Sequence, residues 1–237
     1  MSRGAAFRPT GRIGLGAWIV FGALTVLVTV QAGRALGPDA TFLSWSVGHR
    51  PQAARITARG LTATGTGVVP YALALLAGLV AGRTARHRLR AVGLCVACLA
   101  VGQALRYGVM ELVHRARPPH ADWATHATGY SFPSGHSTTS AIAAGLLIIA
   151  VTLRAPRGSA SLRVVIACWG ASVGLTRIYL GVHWFTDVVG GWLFAMGWLG
   201  VCLWSVARWL PEPFIAGPAR RFPEGQTEKH APEDPGR

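Results

Sequence analysis

Carboxylates are scarce in this chain. Nine of its 237 residues are Asp or Glu, and five of the nine fall after Pro211. The body of the chain keeps only Asp39, Glu111, Asp122 and Asp187. Charged residues of both signs make up 14% of the sequence, against about 25% in an ordinary soluble domain. With 51% hydrophobic residues and a mean hydropathy of +0.38, that shortage excludes an ordinary soluble domain and points to a membrane protein. Lysine is nearly absent: 22 of the 23 basic residues are Arg, which reflects a GC-rich genome. No internal repeat is evident, and the length leaves room for one domain.

The formal charge of +14 does not make a nucleic-acid surface. The arginines sit in short clusters between apolar runs, with no basic amphipathic helix and no ladder of aromatic and basic residues. Cysteine is also sparse. Cys95, Cys98, Cys168 and Cys202 all lie inside apolar runs. Cys95 and Cys98 form a CxxC, but without the strand-helix context of a redox motif they read as small buried hydrophobes. Their spacing assembles no four-ligand zinc set, so the expected metal and cofactor complement is none.

What the chain does have is long apolar runs. Six are long enough to cross a bilayer, or nearly so, at about 13–33, 64–82, 91–112, 137–153, 164–181 and 187–207. The first run is too long for a cleaved leader and no small-x-small site ends it, so it is read as a retained span. The expected fold is all-α, a polytopic membrane bundle of about six helices. Residues 1–12 form an N-terminal segment, 13–210 the transmembrane domain and 211–237 a disordered tail.

Basic residues decide the orientation. Arg3, Arg8 and Arg12, the four arginines from Arg83 to Arg90, then Arg154, Arg157 and Arg163, and the basic residues of the tail all fall on one side of six spans. That side is expected to be cytoplasmic, with both termini inside, in a multi-pass bacterial cell-membrane protein. Three segments face the other side. In the first, residues 34–63, Phe42, Leu43, Trp45, Ile56 and Leu61 predict a helix lying at the interface. The other two, 113–136 and the turn around 179–187, carry the residues suited to chemistry.

Residues 133–136 read Pro-Ser-Gly-His. Pro133 and Ser134 are good helix-start residues, so the following span aims its first N–H groups outward. Such an end binds phosphate through backbone donors and the helix dipole. His136 falls in that first turn. His183 and Asp187 are spaced i, i+4 and share a face if helical. A carboxylate on one ring nitrogen fixes the tautomer and raises the basicity of the other, which suits a nucleophile. Arg177 and Arg117 lie at the outer ends of their spans, and guanidinium groups grip phosphate oxygens as a fork. Taken singly, each arginine reads as an interfacial residue, and each histidine has a plain structural reading too.

The three blocks together resemble the type 2 phosphatidic acid phosphatase (PAP2) family, which also includes vanadium haloperoxidases. The family pattern is Lys-x6-Arg-Pro, then Pro-Ser-Gly-His, then Ser-Arg-x5-His-x3-Asp. The resemblance covers about residues 64–207. It implies that His183 attacks phosphorus, that Asp187 orients it, and that His136 protonates the leaving oxygen and then serves as base for water. It implies that Arg117, Ser134, Gly135 and Arg177 hold the phosphoryl oxygens without a metal. The implied substrate is a lipid phosphate or polyprenyl diphosphate at the outer leaflet, with membrane lipids and no nucleic acid as partners. Two positions depart from the pattern: Thr176 replaces Ser, and Met110 replaces the phosphate-binding Lys. Arg106, eleven residues before Arg117 and so on the same face of a continuous helix, and His114, nearer the mouth, are the candidate substitutes. A phosphotransferase with the same site, or a catalytically degenerate lipid-binding or transport protein, are the alternative readings. The apolar spans disfavour a haloperoxidase, since those enzymes are soluble.

Overall fold

The computed structural model describes residues 3–209. Eight α-helices and one 3-10 turn make up the regular structure of those residues, with no strand among them. They are α1 (Arg3–Val30), α2 (Gly37–Gly48), α3 (Gln52–Ala63), α4 (Val68–Ala81), α5 (Ala85–Val113), the 3-10 turn His120–Asp122, α6 (Gly135–Arg154), α7 (Ala160–Tyr179) and α8 (Phe185–Trp209). Segment 211–237, read above as a disordered tail, lies outside the described residues.

Five helices are long and apolar enough to cross a membrane: Gly11–Val30 of α1, then α5, α6, α7 and α8. The sixth crossing differs from the sequence expectation. The run at 64–82 yields only the 14 residues of α4, about 21 Å of helix against a hydrocarbon core of about 30 Å. It becomes a span only together with α3, to which it joins at a bend of 51°. Gly67, at φ 67 before α4, marks that break. The single interfacial helix expected over 34–63 is therefore two helices. Pro51 separates them as the N-cap of α3, where its lack of an N–H costs nothing. Leu43 is buried, while Phe42, Trp45 and Ile56 are exposed.

Helix α6 is the centre of the bundle, touched by α4, α5, α7 and α8. Its first turns are polar yet buried, and the polar groups find partners. Thr138 Oγ1 donates to Ser134 O (2.9 Å), Ser140 Oγ donates to Gly170 O on α7 (3.0 Å), and Gln103 Nε2 of α5 donates to Thr139 Oγ1 (3.4 Å). Between lipid-embedded helices there is no water to expel, so close packing of small residues carries association. A Cβ on Gly14 of α1 would stand 2.9 Å from Gly200 Cα of α8. Beside that contact Trp18, Phe21 and Phe194 meet edge to face, with centroids 5.2–5.6 Å apart. Ile13, Ile19, Val26, Leu76, Leu94, Val165 and Val201 point outward as a lipid-facing belt.

Candidate active site

One end of the bundle gathers the C-termini of α5 and α7 and the N-termini of α6 and α8. The 114–134 loop and the 180–184 turn complete it. Ser134 is the N-cap of α6, accepting from Ser137 N (3.5 Å) and Ser137 Oγ (3.0 Å). That leaves its own hydroxyl proton free to donate. Ser134 N donates to Asp187 O (3.0 Å), which ties the cap to α8. Small residues permit this approach: a Cβ on Gly191 would stand 2.8 Å from Ser134 O, and one on Gly190 would stand 2.5 Å from the Phe132 ring. His136 lies in the first turn of α6, within electrostatic reach of Arg177, His183, Arg117 and Arg106.

His183 does not lie on a helix. Helix α8 starts at Phe185, and His183 sits in the turn before it, 3% exposed. Gly181 makes that turn with φ 73, a conformation that strains any residue with a Cβ. Asp187, in the first turn of α8, folds back over the helix start. Its Oδ2 accepts from Trp184 N (2.8 Å) and stands 3.4 Å from His183 Nδ1. The i, i+4 pair therefore comes close through a capping turn in place of a helix face, and without a hydrogen bond: His183 Nδ1 has no partner among the described residues.

The opposite ring nitrogen, His183 Nε2, is 2.9 Å from Arg117 Nη1. A guanidinium only donates, so Nε2 presents its lone pair and Nδ1 carries the proton toward Asp187. Burial, then the charges of Arg117 and Arg177, push the His183 pKa well below its ordinary value. The ring is neutral at physiological pH.

Arg117 is anchored by carbonyls: Nε to Gly129 O (2.9 Å), Nη1 to Val182 O (2.8 Å), and Nη2 to Thr128 O (2.7 Å) and Tyr130 O (3.0 Å). Burial first, then the Arg106 charge, lower its pKa, against the pull of Asp187. Arg177 is buried, with Nη1 donating to Thr62 Oγ1 of α3 (3.1 Å). Its Nε has no hydrogen-bond partner among the described residues. A buried guanidinium with an unused donor beside two histidines suits an incoming anion.

Helix α5 ends at Val113, so Arg106 and Arg117 do not share a helix face as the eleven-residue spacing suggested. They converge all the same. Arg106 reaches forward along α5, Nη1 3.2 Å from Met110 Sδ, and its guanidinium lies 3.2–3.5 Å from where a Cβ on Gly135 would stand. A Cβ there would press on the guanidinium, which would have to give by a few tenths of an ångström. His114 is the C-cap of α5 at φ 52, exposed, its ring edge-on to Tyr130 at 4.3 Å.

Four residues escaped the sequence reading. Arg115, two positions before Arg117, is 1% exposed and bridges Asp187 Oδ1 (2.6 Å) to Asp39 Oδ2 (2.7 Å). Asp39 on α2, Thr186 beside it and Thr62 on α3 complete the supporting shell. Asp39 carried a legible signal, as one of four carboxylates in the body of the chain. Segment 34–63 also holds the loops. Arg50 Nη1 donates to Asp122 O (2.6 Å) and Arg59 Nε to Ala124 O (2.7 Å).

The chain is similar to several known proteins. The family model described as the PAP2 superfamily matches residues 90–211. Phosphatidylglycerophosphatase B of Bacillus subtilis (strain 168) is 37% identical over 92 residues, 38% of this chain and 44% of that protein. Lipid A 1-phosphatase of Rhizobium etli is 35% identical over 98 residues, 38% of each chain. Phosphatidylglycerophosphatase B of Escherichia coli (strain K12) is 33% identical over 81 residues, 34% of this chain and 31% of that protein. The matched stretch spans less than half the length of these curated relatives. The crystal structure of a transmembrane PAP2-type phosphatidylglycerolphosphate phosphatase from Bacillus subtilis superposes with a TM-score of 0.65. It is 22% identical and covers 83% of this chain and 94% of that one. With its multi-span helical fold and a family match over more than half its length, the chain belongs to the PAP2 superfamily.

Proposed function

We propose that the chain hydrolyses a lipid phosphate or polyprenyl diphosphate at the outer leaflet, through a phosphohistidine and without a metal. The observation that carries this reading is the placement of His183. Its neutral Nε2 points its lone pair at the guanidinium of Arg117, while its Nδ1 faces the buried Asp187.

The steps follow from that geometry. A phosphoryl group enters against Arg117, Arg177, Arg106 and the N–H groups of the α6 start, with the Ser134 hydroxyl as a further donor. His183 Nε2 attacks phosphorus in line. The imidazole gains positive charge, which Asp187 stabilises through Nδ1–H. His136 gives a proton to the departing oxygen, a contribution of about 10²–10⁴-fold. Water, deprotonated by His136, then attacks the phosphohistidine and releases phosphate. Guanidinium groups aimed at the equatorial oxygens supply the charge stabilisation throughout. Arg106 takes the place left empty by Met110, which favours an active enzyme over a degenerate one. The arginines Arg83 to Arg90, Arg154 and Arg157 lie at the opposite end of the bundle from the site and are exposed. The positive-inside rule makes that end cytoplasmic and the site extracytoplasmic.

The deciding assay uses the full chain, purified in detergent, against a panel of lipid phosphates and diphosphates with EDTA present. The expected result is phosphate release that resists the chelator, is blocked by vanadate and is absent in His183→Ala. Phosphate recovered on an added acceptor in place of water would favour the phosphotransferase reading. No release from any lipid would return the weight to a lipid-binding protein.

A further inference from the structure

Arg115 and Asp39 are buried charges that the steps above do not use. In a membrane bundle such groups are retained for a reason. Arg115 Nη1 donates to Asp187 Oδ1 (2.6 Å) and Thr186 Oγ1 (2.7 Å), while Nη2 donates to Asp39 Oδ2 (2.7 Å) and Arg34 O (3.2 Å). Asp39 Oδ2 also accepts from Leu36 N (3.0 Å), and its Oδ1 accepts from Thr186 N (2.8 Å) and Thr186 Oγ1 (2.9 Å). The guanidinium lies 5.7 Å from the Trp184 ring centroid, directly behind the nucleophile's turn.

The two oxygens of Asp187 thus have different tasks. Oδ1 is locked by Arg115, which turns Oδ2 toward Trp184 N and His183 Nδ1. A single guanidinium on a single carboxylate would cancel the charge that His183 needs. Here one guanidinium is shared by two carboxylates, which leaves one net negative charge behind the nucleophile.

We propose that Asp39 and Arg115 are positioning residues for the nucleophile: Arg115 aims Asp187 at His183, and Asp39 balances Arg115 so that Asp187 keeps its charge for that histidine. The proposal rests on the reading of His183 as nucleophile. It also gives α2 a role in catalysis, because Asp39 sits in its first turn. The other charged or titratable groups facing His183 are Arg117 from the 114–134 loop, Arg177 from α7, Arg106 from α5 and His136 from α6. All but His136 are fixed cations, so the two carboxylates are the balancing charges.

The test compares wild type, Asp39→Asn, Asp39→Ser and Asp39→Glu as full chains in detergent, with dioctanoyl phosphatidic acid as substrate over about pH 5 to 9. The substrate's own ionisation is common to all four proteins. Loss of the Asp39 charge disfavours the cationic ring, so the acid limb of the rate profile should move to lower pH. The companion effect is a fall in kcat of about tenfold, the equivalent of one pKa unit. KM should hold steady or fall, since the phosphate site becomes more positive. Asp39→Glu should restore the wild-type limb. A merely structural pair would change the yield of folded protein and leave kcat and the limb of the folded fraction where they were. That result in either charge-free variant overturns the proposal. So does failure of both Asn and Ser variants to fold while Glu folds and turns over normally. Turnover in a parallel His183→Ala preparation would instead remove the nucleophile assignment underneath it.

Discussion

Replacing Arg106 by Gln takes away the guanidinium beside Gly135 and keeps most of the side-chain volume. Arg106 touches Met110 Sδ at 3.2 Å and stands 3.2–3.5 Å from the Cβ position of Gly135. A thioether is a weak acceptor and leaves the cation's other donors for an anion. A hydrogen bond to a charged group contributes about 1.5–3 kcal/mol, so kcat/KM for phosphate release should fall by roughly tenfold to a hundredfold or slightly more. Vanadate inhibition should weaken by a similar factor. The geometry then predicts its own rescue. Met110→Lys, placed in the Arg106→Gln background, puts an ammonium one helical turn nearer the loop and should recover most of the loss. His114→Ala should stay near wild type, because His114 is exposed and packs on Tyr130. Steady-state kinetics on dioctanoyl phosphatidic acid with the four proteins settles the matter. An Arg106→Gln enzyme with unchanged kcat/KM and unchanged vanadate affinity would refute the assignment of Arg106 to the phosphate site.

Three further outcomes follow from the same contacts. The folded His183 has a pKa well below its ordinary value, whereas an unfolded histidine titrates near about 6.5. Unfolding therefore takes up a proton as the pH drops below that point, and wild type should lose stability there by up to about 1.4 kcal/mol per pH unit from this residue. Thermal melts of His183→Gln should show a shallower acid slope than wild type, and parallel slopes would contradict the burial argument. His136→Ala should slow a phosphate monoester more than a diphosphate, whose leaving group needs no proton. Equal losses, measured by phosphate release on both, would deny His136 its role as acid. Gly191→Ala would place a methyl 2.8 Å from Ser134 O. Forced overpacking of that kind costs about 1–3 kcal/mol, so the variant should melt lower and lose kcat as the cap moves. A variant with wild-type melting and kcat would show that the α6 start is not held by α8.

The candidate site was legible in part because the chemistry proposed for it uses residue types that membrane spans otherwise exclude. A histidine at a capped helix start and a histidine four residues before one of four body carboxylates stand out from apolar sequence. Their local geometry was less legible. The spacing of His183 and Asp187 suggested a helix face, but Gly181 opens a turn, and Asp187 reaches back to cap it. The eleven-residue spacing of Arg106 and Arg117 implies one helix face; α5 ends at Val113, and the loop returns Arg117 by a different route. The supporting shell was hidden for another reason. Asp39 and Thr62 meet the site across 76 and 115 residues of chain, and such pairings leave no periodicity. The bent crossing was hidden too, because the apolar run starts at about residue 64 and leaves out α3, whose Arg55 and Arg59 do not read as part of a span.

The arginines show how far sequence context goes before structure must take over. Most of them fall between spans, and the proposed topology rests on that position. Arg83, Arg86, Arg88, Arg90, Arg154 and Arg157 are exposed at one end of the bundle. At the other end Arg115 and Arg177 are buried, and Arg106 and Arg117 are partly so. A hydrated surface arginine costs little, but a buried one must be balanced. Arg115 is balanced by Asp39 and Asp187 within the fold. Arg117 gives four hydrogen bonds to backbone carbonyls, which carry no net charge, and a fifth to the neutral His183, while Arg177 Nε has no partner among the described residues. Four arginines against two carboxylates leave the site with a net charge of two positive, the complement of a phosphate dianion. A chain this poor in carboxylates has few others to place there, which suits the site to the anion proposed for it. An added carboxylate in the site, Met110→Glu, should accordingly weaken vanadate binding more than the neutral Met110→Gln does. Equal binding by the two variants would mean that shape, and not charge, selects the ligand.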